Sequence, residues 1–232
     1  MDRFVKLILI LVIFLPFYSS SKKNEYVKGI DISHHQGIIN WSKSDKKLFS
    51  FVYIKSTEAA KFKDPLFKHN WNGAKGVGIY VGAYHVYNFK ISGRSQAMNF
   101  INTVPKYKNS LPPAIDLHLI SSVSNEEKVK IIKELKIFNK LLLNHYGKNP
   151  IFYICNSQHK KYLLGHFNNP VWTWHYTEKT KPNKFGNKNW TMWQYGIVGK
   201  SNTKYKKFTK NFGLDIDYYN GTIKEFLKLI KG

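Results

Sequence analysis

Three segments far apart in the chain share one pattern, and that pattern limits the fold severely. Residues 111–120 read LPPAIDLHLI: two prolines close off what precedes, then Ala114, Asp116 and His118 alternate with Ile115, Leu117 and Leu119. Residues 29–33 read GIDIS, with Asp31 opposite Ile30 and Ile32, and residues 213–217 read GLDID, with Asp215 and Asp217 opposite Leu214 and Ile216. Alternation with a period of two marks a strand whose two faces meet different surroundings. Asp116 and His118 then point the same way, about 7 Å apart, a spacing at which two groups can act on one bond. Three such strands are most simply accommodated if their apolar faces pack on helices while the acidic faces converge on a shared cleft. A closed parallel barrel arranges its strand ends in this way.

The rest of the chain supplies the alternation that a barrel needs. Strand patterns are expected at 27–33, 49–57, 78–88, 113–120 and 151–155, with helices at 40–48, 64–75, 92–104 and 124–147 and a helical turn at 157–164 between and after them. The clearest helix opens on a Ser124/Glu127 capping box, carries Val129, Ile132, Leu135, Phe138 and Leu142 at three- and four-residue spacing, and ends at Gly147. Three further strands, at 171–176, 190–195 and 213–219, are separated by Lys-, Asn- and Gly-rich intervals without helical periodicity. This describes an α/β fold, an incomplete TIM-type barrel of eight strands with helices mainly after the first five. The basic segment 222–231 reads as a terminal cap.

Residues 1–21 read as a signal peptide: Arg3 and Lys6 precede an apolar run over 7–17, and Ser19, Ser20 and Ser21 follow. The run is shorter than the roughly 20 residues that span a bilayer, so it is a cleaved leader or at most a weak anchor. The remaining 22–232 suit one domain, and the expected location is secreted or periplasmic. The single cysteine, Cys155, lies in an apolar run and reads as buried packing, leaving the fold without an internal disulfide. The formal charge is +23, from 37 Lys and Arg against 14 Asp and Glu. Scattered lysines without an Arg-rich cluster suit anionic cell-wall or membrane surfaces better than nucleic acid. A purely cationic, surface-active protein is the function class that rests on charge alone. Aromatic residues make up 16% of the chain and supply flat faces of the kind on which pyranose rings stack.

With these residues in view, the chain resembles the glycoside hydrolases of family 25. The resemblance is carried by GIDISHHQG at 29–37 with Trp41 following, KSTE at 55–58, DPLFKHNWNGAK at 64–75, VGAYHVY at 81–87, QAMNF at 96–100, LPPAIDL at 111–117, WQYG at 193–196 and GLDIDYYNG at 213–221. It implies an incomplete barrel and a muramidase that cuts the bond between N-acetylmuramic acid and N-acetylglucosamine in peptidoglycan. It also implies catalytic-site roles for Asp31, for Asp116 as the first carboxylate of an Asp-x-Glu pair, and for Asp215. This chain departs from the family at His118, where the family has the Glu proposed as general acid, and at Asp217, where Asn is more usual.

Three roles for His118 follow. As a substitute acid, its ordinary pKa of about 6.5 would be raised by neighbouring carboxylates. With the acid lost instead, the cleft would bind cell-wall glycan without cutting it. As part of a metal site with Asp31, His34, His35 and Asp116, it would need adjacent histidines to converge, which they rarely do on a strand, so neither metal nor other cofactor is expected. Sugar contacts are expected from Lys55, Glu58, Tyr84, Tyr153, Trp172, Trp174, Tyr176 and Gln194, each of which has barrel packing as its other explanation. Lys55 can also pair with Glu58 or Asp116, and His85 suits a satisfied core histidine. The protein is expected to act as a monomer on peptidoglycan glycan strands.

Overall fold

The computed structural model describes residues 26–44, 48–117, 123–176, 180–198 and 213–231. Residues 1–21, expected to be a leader, and His118 lie outside them. Strands β1 (Val27–Ile32), β2 (Phe51–Glu58), β3 (Phe62–Lys63), β4 (Tyr80–Val86), β5 (Ala114–Asp116), β6 (Ile151–Tyr153), β7 (Val171–Trp174), β8 (Met192–Val198) and β9 (Leu214–Tyr219) form one sheet. Its order is β1-β9-β8-β7-β6-β5-β4-β2-β3, and β1 also pairs with β2, so eight strands close on themselves while β3 hangs on the edge of β2. Helices α1 (Phe67–Gly76), α2 (Gly93–Ile101) and α3 (Asn125–Tyr146) follow the strands on the outside. The helical turn α4 (Asn156–Gln158) comes after β6, and α5 (Ile223–Lys231) closes the chain.

One strand departs from the parallel expectation. β9 lies between β1 and β8 and runs antiparallel to both, with Asp31 opposite Asp215 and Gly29 opposite Asp217. The reversal is what brings Asp215 to the site: a parallel strand reaches the cleft with its last residues, an antiparallel one with its first. The expected helix at 40–48 is reduced, among the described residues, to a short 3₁₀ turn, Trp41–Lys43. In α3 the capping box forms as expected, with Glu127 N–H donating to Ser124 Oγ at 3.1 Å and Ser124 N–H donating to Glu127 Oε2 at 2.8 Å. Its buried stripe runs Ile131, Ile132, Leu135, Phe138, Leu142, whereas Val129 is 67% exposed. Two residues amount to about 200° around a helix, so Val129 falls on the far side from Ile131. Cys155 is half-buried rather than buried, because β6 ends at Tyr153 and the alternation stops with it.

Alternation along the strands separates two cores. Ile30, Ile32, Val52, Ile54, Val81, Ile115, Phe152, Leu214 and Ile216 face outward and pack with the helices. Phe51, Tyr53, Ala114, Ile151, Trp172, Met192 and Tyr219 face inward, and Phe226 and Ile230 of α5 close the floor of the barrel beneath them. The segment expected to act as a cap is therefore a plug. Lys148 holds it there, its Nζ donating to the carbonyls of Lys108, Ser110 and Ile230. Gly29 and Gly82 leave the room that the inward aromatics occupy: a Cβ at either would lie within 2.4 Å of the Phe51 or Tyr53 ring. His85 is fully buried between Thr57 Oγ1 at 2.8 Å and Gln96 Oε1 at 3.2 Å, and burial lowers its pKa to about 4.

The plug carries the first prediction. Phe226 is fully buried against Phe51, Tyr80 and Tyr219, and Phe226→Ala should cost about 3–5 kcal/mol of unfolding free energy, as deletion of a buried aromatic side chain does. Urea unfolding measures it, and a loss below about 1 kcal/mol would show that α5 is not part of the cooperative core.

Candidate active site

The ends of the parallel strands and the start of β9 surround a cleft of about 320 Å³ lined by Asp31, Tyr84, Asp116, Tyr153, Trp172, Tyr176, Gln194, Ile197 and Asp215. Asp31 and Asp116 reach it because each is an inward residue near the end of its strand, with outward Ile30, Ile32 and Ile115 anchoring the backbone beneath the helices. Eight of the expected site residues thus meet in one place. Lys55, Glu58 and Trp174 stand outside the lining. Lys55 Nζ donates to Glu58 Oε2 at 2.7 Å and lies 5.2 Å from the centre of the Phe62 ring, so these charges are joined to each other at the β2–β3 hairpin. Trp174 packs on Tyr153, with ring centres 5.1 Å apart. His34 Nδ1 is 2.7 Å from Asp64 Oδ2, and its ring lies against His35.

Hydrogen bonds fix the floor of the cleft. Tyr153 and Tyr176 hydroxyls both donate to Gln194 Oε1, at 2.7 and 3.1 Å, which turns the amide nitrogen toward Asp31, whose Oδ2 it reaches at 2.6 Å. Beneath Asp31 sits Asp217, with no exposed surface, accepting from Trp172 Nε1 at 2.9 Å. On β9 Asp217 lies two residues beyond Asp215, which faces Asp31, and its ladder neighbours are Gly29 and Gln194. Among the described residues no hydrogen-bond donor reaches Asp217 Oδ2.

Electrostatics follow from this crowding. Burial holds Asp31 well above the usual carboxylate range, Asp215 and Asp116 raise it further, and the Gln194 amide opposes them. Burial, Asp31 and Asp215 raise Asp217 likewise, against the Trp172 donor, while burial lifts Asp215 to about 6. Burial and the same carboxylates push the Tyr84 and Tyr153 hydroxyls upward, so both stay neutral donors. The arrangement can hold protons beside an ionisable carboxylate, with aromatic walls and hydroxyl donors around them, as acid–base chemistry at a sugar bond requires.

Two residues that shape the cleft were not expected as site residues. Asp217 carried the same signal as His118, a polar residue two positions after an inward carboxylate. Ile197, 63% exposed at the cleft, has no signal of that kind, being one apolar residue of an ordinary strand.

Residues 30–203 match the family model for glycosyl hydrolases of family 25. A solved family 25 glycosyl hydrolase from Bacillus anthracis is similar with a TM-score of 0.77 and 33% identity, over 89% of this chain and 94% of that one. The bacterial lysozyme of Streptomyces coelicolor is similar with a TM-score of 0.73 and 28% identity, over 89% and 98% of the two chains. Lysozyme M1 of Streptomyces globisporus is 29% identical over 189 residues, 75% of this chain and 63% of its own length.

The raised carboxyls predict how stability depends on pH. In an unfolded chain they titrate near 3.9. In the native state they keep their protons to higher pH, so the native state binds more protons and stability falls as pH rises. His85 acts in the opposite sense: lowered to about 4 in the native state, it adds stability as pH rises from about 4 to about 6.5 and nothing beyond. For Asp215, lifted to about 6, the loss falls between about pH 4 and 6.5, so over that range the parent should lose urea-unfolding free energy relative to Asp215→Asn, and a difference that does not change with pH would show that Asp215 is ionised throughout.

Proposed function

The chain belongs to the glycosyl hydrolases of family 25, and from that premise we propose that it is a secreted lysozyme, an N-acetylmuramidase acting on the MurNAc–GlcNAc bond of peptidoglycan. The observation that supports this reading best is the convergence of Asp31, Asp116 and Asp215 with Tyr84, Tyr153, Trp172 and Tyr176 in a single cleft. Carboxyl groups beside aromatic faces are the two requirements of a glycoside hydrolase: acid–base or charge stabilisation at the anomeric centre, and platforms for the sugar rings.

In this reading Asp116 orients the substrate's acetamido group and stabilises the cation-like centre that forms as the bond opens. Asp31 and Asp215 hold the sugar and set the local proton affinities, and His118 or a rearranged acid protonates the leaving oxygen. Tyr84, Tyr153, Trp172, Tyr176 and Gln194 shape the subsites, with Lys55, Glu58 and Trp174 contributing outside the cleft lining. The +23 formal charge concentrates the protein on anionic wall or membrane surfaces, and residues 1–21 direct it out of the cell as a monomer. No cofactor enters this chemistry.

A second reading is favoured by one specific residue. Where the resemblance implies a Glu this chain carries His118, so a member that binds cell-wall glycan through the same cleft without cleaving it is the alternative.

Release of new reducing ends from purified peptidoglycan across about pH 4–8 tests both. Activity in the parent that drops by at least about 10² in Asp116→Asn is the expected result. A silent parent that still binds peptidoglycan, with activity appearing in His118→Glu, would establish the glycan-binding reading instead. Binding to peptidoglycan should weaken as salt is raised past about 0.15 M, because the lysine charges are screened over about 8 Å there; salt-independent binding would remove the role assigned to net charge.

A further inference from the structure

Outside the barrel wall lies a recess of about 570 Å³, enclosed by the helical turn His159–Leu163, the residues leading into β7 and the residues leading into β8. We propose that this recess is a second glycan-binding site, which holds an N-acetylated sugar unit outside the barrel while the cleft works on the polymer inside. The choice of polymer rests on the muramidase reading above; the recess itself is argued from its own lining.

Strand alternation explains why the two sites are separate. Val171 faces outward into the recess and Trp172, the next residue, faces inward to the cleft, so the wall of β7 divides them and they share no lining residue. Among the described residues no helix joins β7 to β8. The outer surface that a helix covers elsewhere is here left concave. A tight turn shapes its edge, with Phe185 and Lys188 exchanging two backbone hydrogen bonds, at 2.9 and 3.2 Å, around Gly186 at φ 61°.

Two buried polar side chains keep hydrogen-bonding capacity free on this cavity. His159 is 7% exposed and packs edge-on against Phe185, with ring centres 5.1 Å apart; among the described residues its ring nitrogens have no hydrogen-bond partner. Asn169 is 8% exposed, and its Nδ2 lies 2.8, 3.1 and 2.8 Å from Asn139 Oδ1, Asn149 Oδ1 and the Pro150 carbonyl. Those three acceptors fix the amide and, among the described residues, leave its Oδ1 without a donor. A few fixed polar groups converging on a mostly apolar cavity of roughly 300–1,000 Å³ are the usual make-up of a small-molecule site.

The chemistry of the lining selects the ligand. Burial and the Lys188 ammonium lower the proton affinity of His159, so its ring is neutral at pH 7, with one donor and one acceptor nitrogen. The ammonium itself is turned to Asn168 Oδ1. Among the described residues no carboxylate lines the recess, so a cationic ligand finds no counter-charge there, while Asn187 and Asn189 add further amides at the rim. Neutral groups that both donate and accept match sugar hydroxyls and an acetamido group. Phe185, Phe167 and the 47%-exposed Leu164 supply apolar surface for the C–H face of a sugar ring. A wall presents many glycan strands, so a hold at the recess keeps polymer at a high effective concentration beside the cleft.

The test follows the ring signal of His159 by NMR in the purified protein, identified by its loss in His159→Gln, while a soluble tetramer of N-acetylglucosamine is added. The signal should move and saturate. Asn187→Ala combined with Asn189→Ala should raise the sugar concentration required by about tenfold, as loss of two hydrogen bonds does, and Leu164→Asp should raise it independently. All three positions are exposed, so the fold tolerates these changes. A signal that the sugar does not move, or that moves at the same concentrations in the variants, would overturn the site. A signal moved by inorganic phosphate and not by the sugar would overturn it too, marking an anion site instead. Movement in a protein that releases no reducing ends from peptidoglycan supports the recess and overturns the muramidase reading alone; release of reducing ends with His159 silent does the reverse.

Discussion

Every strand of the closed sheet has to satisfy two interiors at once. Its outward residues must fill the space beneath the helices, and its inward residues must fill a barrel too narrow for much besides side chains. The result is a strict division of labour at single-residue spacing. Ile30 and Ile32 hold β1 against the helices, which leaves Asp31 no direction except inward. Slipping β1 by one residue would bury an aspartate beneath the helices and turn two isoleucines into the barrel, so the register of the site is enforced by the packing of the core.

The barrel is filled from below and open above. Phe226 and Ile230 of α5 plug the floor, and Phe51, Tyr53, Ala114, Ile151 and Met192 occupy the middle. Only the layer nearest the strand ends is polar, and it is polar at a cost. Asp31 and Asp217 are carboxyls placed where burial disfavours their charge, and their donors, Gln194 and Trp172, only partly offset it. Perturbed carboxyls crowded in a cleft are a physical ground for calling this layer a candidate functional site, since burying them costs stability that packing does not repay.

Antiparallel β9 decides how that layer is composed. Because its first residues rather than its last reach the cleft, Asp215 stands directly across from Asp31, and Asp217 falls one step deeper, next to Gly29 and Gln194. A parallel strand in this place would have brought Tyr218 and Tyr219 to the cleft and left both aspartates near the floor. The difference between a carboxylate cluster and an aromatic one is the direction of one strand.

Much of this was legible from the chain alone, and for a local reason. Alternation and capping depend on residues within one turn or two strand positions, so the acidic face of β5, the α3 capping box and the outward isoleucines can be read without knowing what they pack against. The family motifs placed the carboxylates in one cleft for the same reason. What depended on partners distant in sequence could not be read: that β9 is antiparallel, that the C-terminal segment is a plug held by Lys148, and that Asp217 lies beneath Asp31. Side-chain chemistry and strand period are properties of the chain. The protonation of a carboxyl is a property of its neighbours, and only the closed barrel brought those neighbours together.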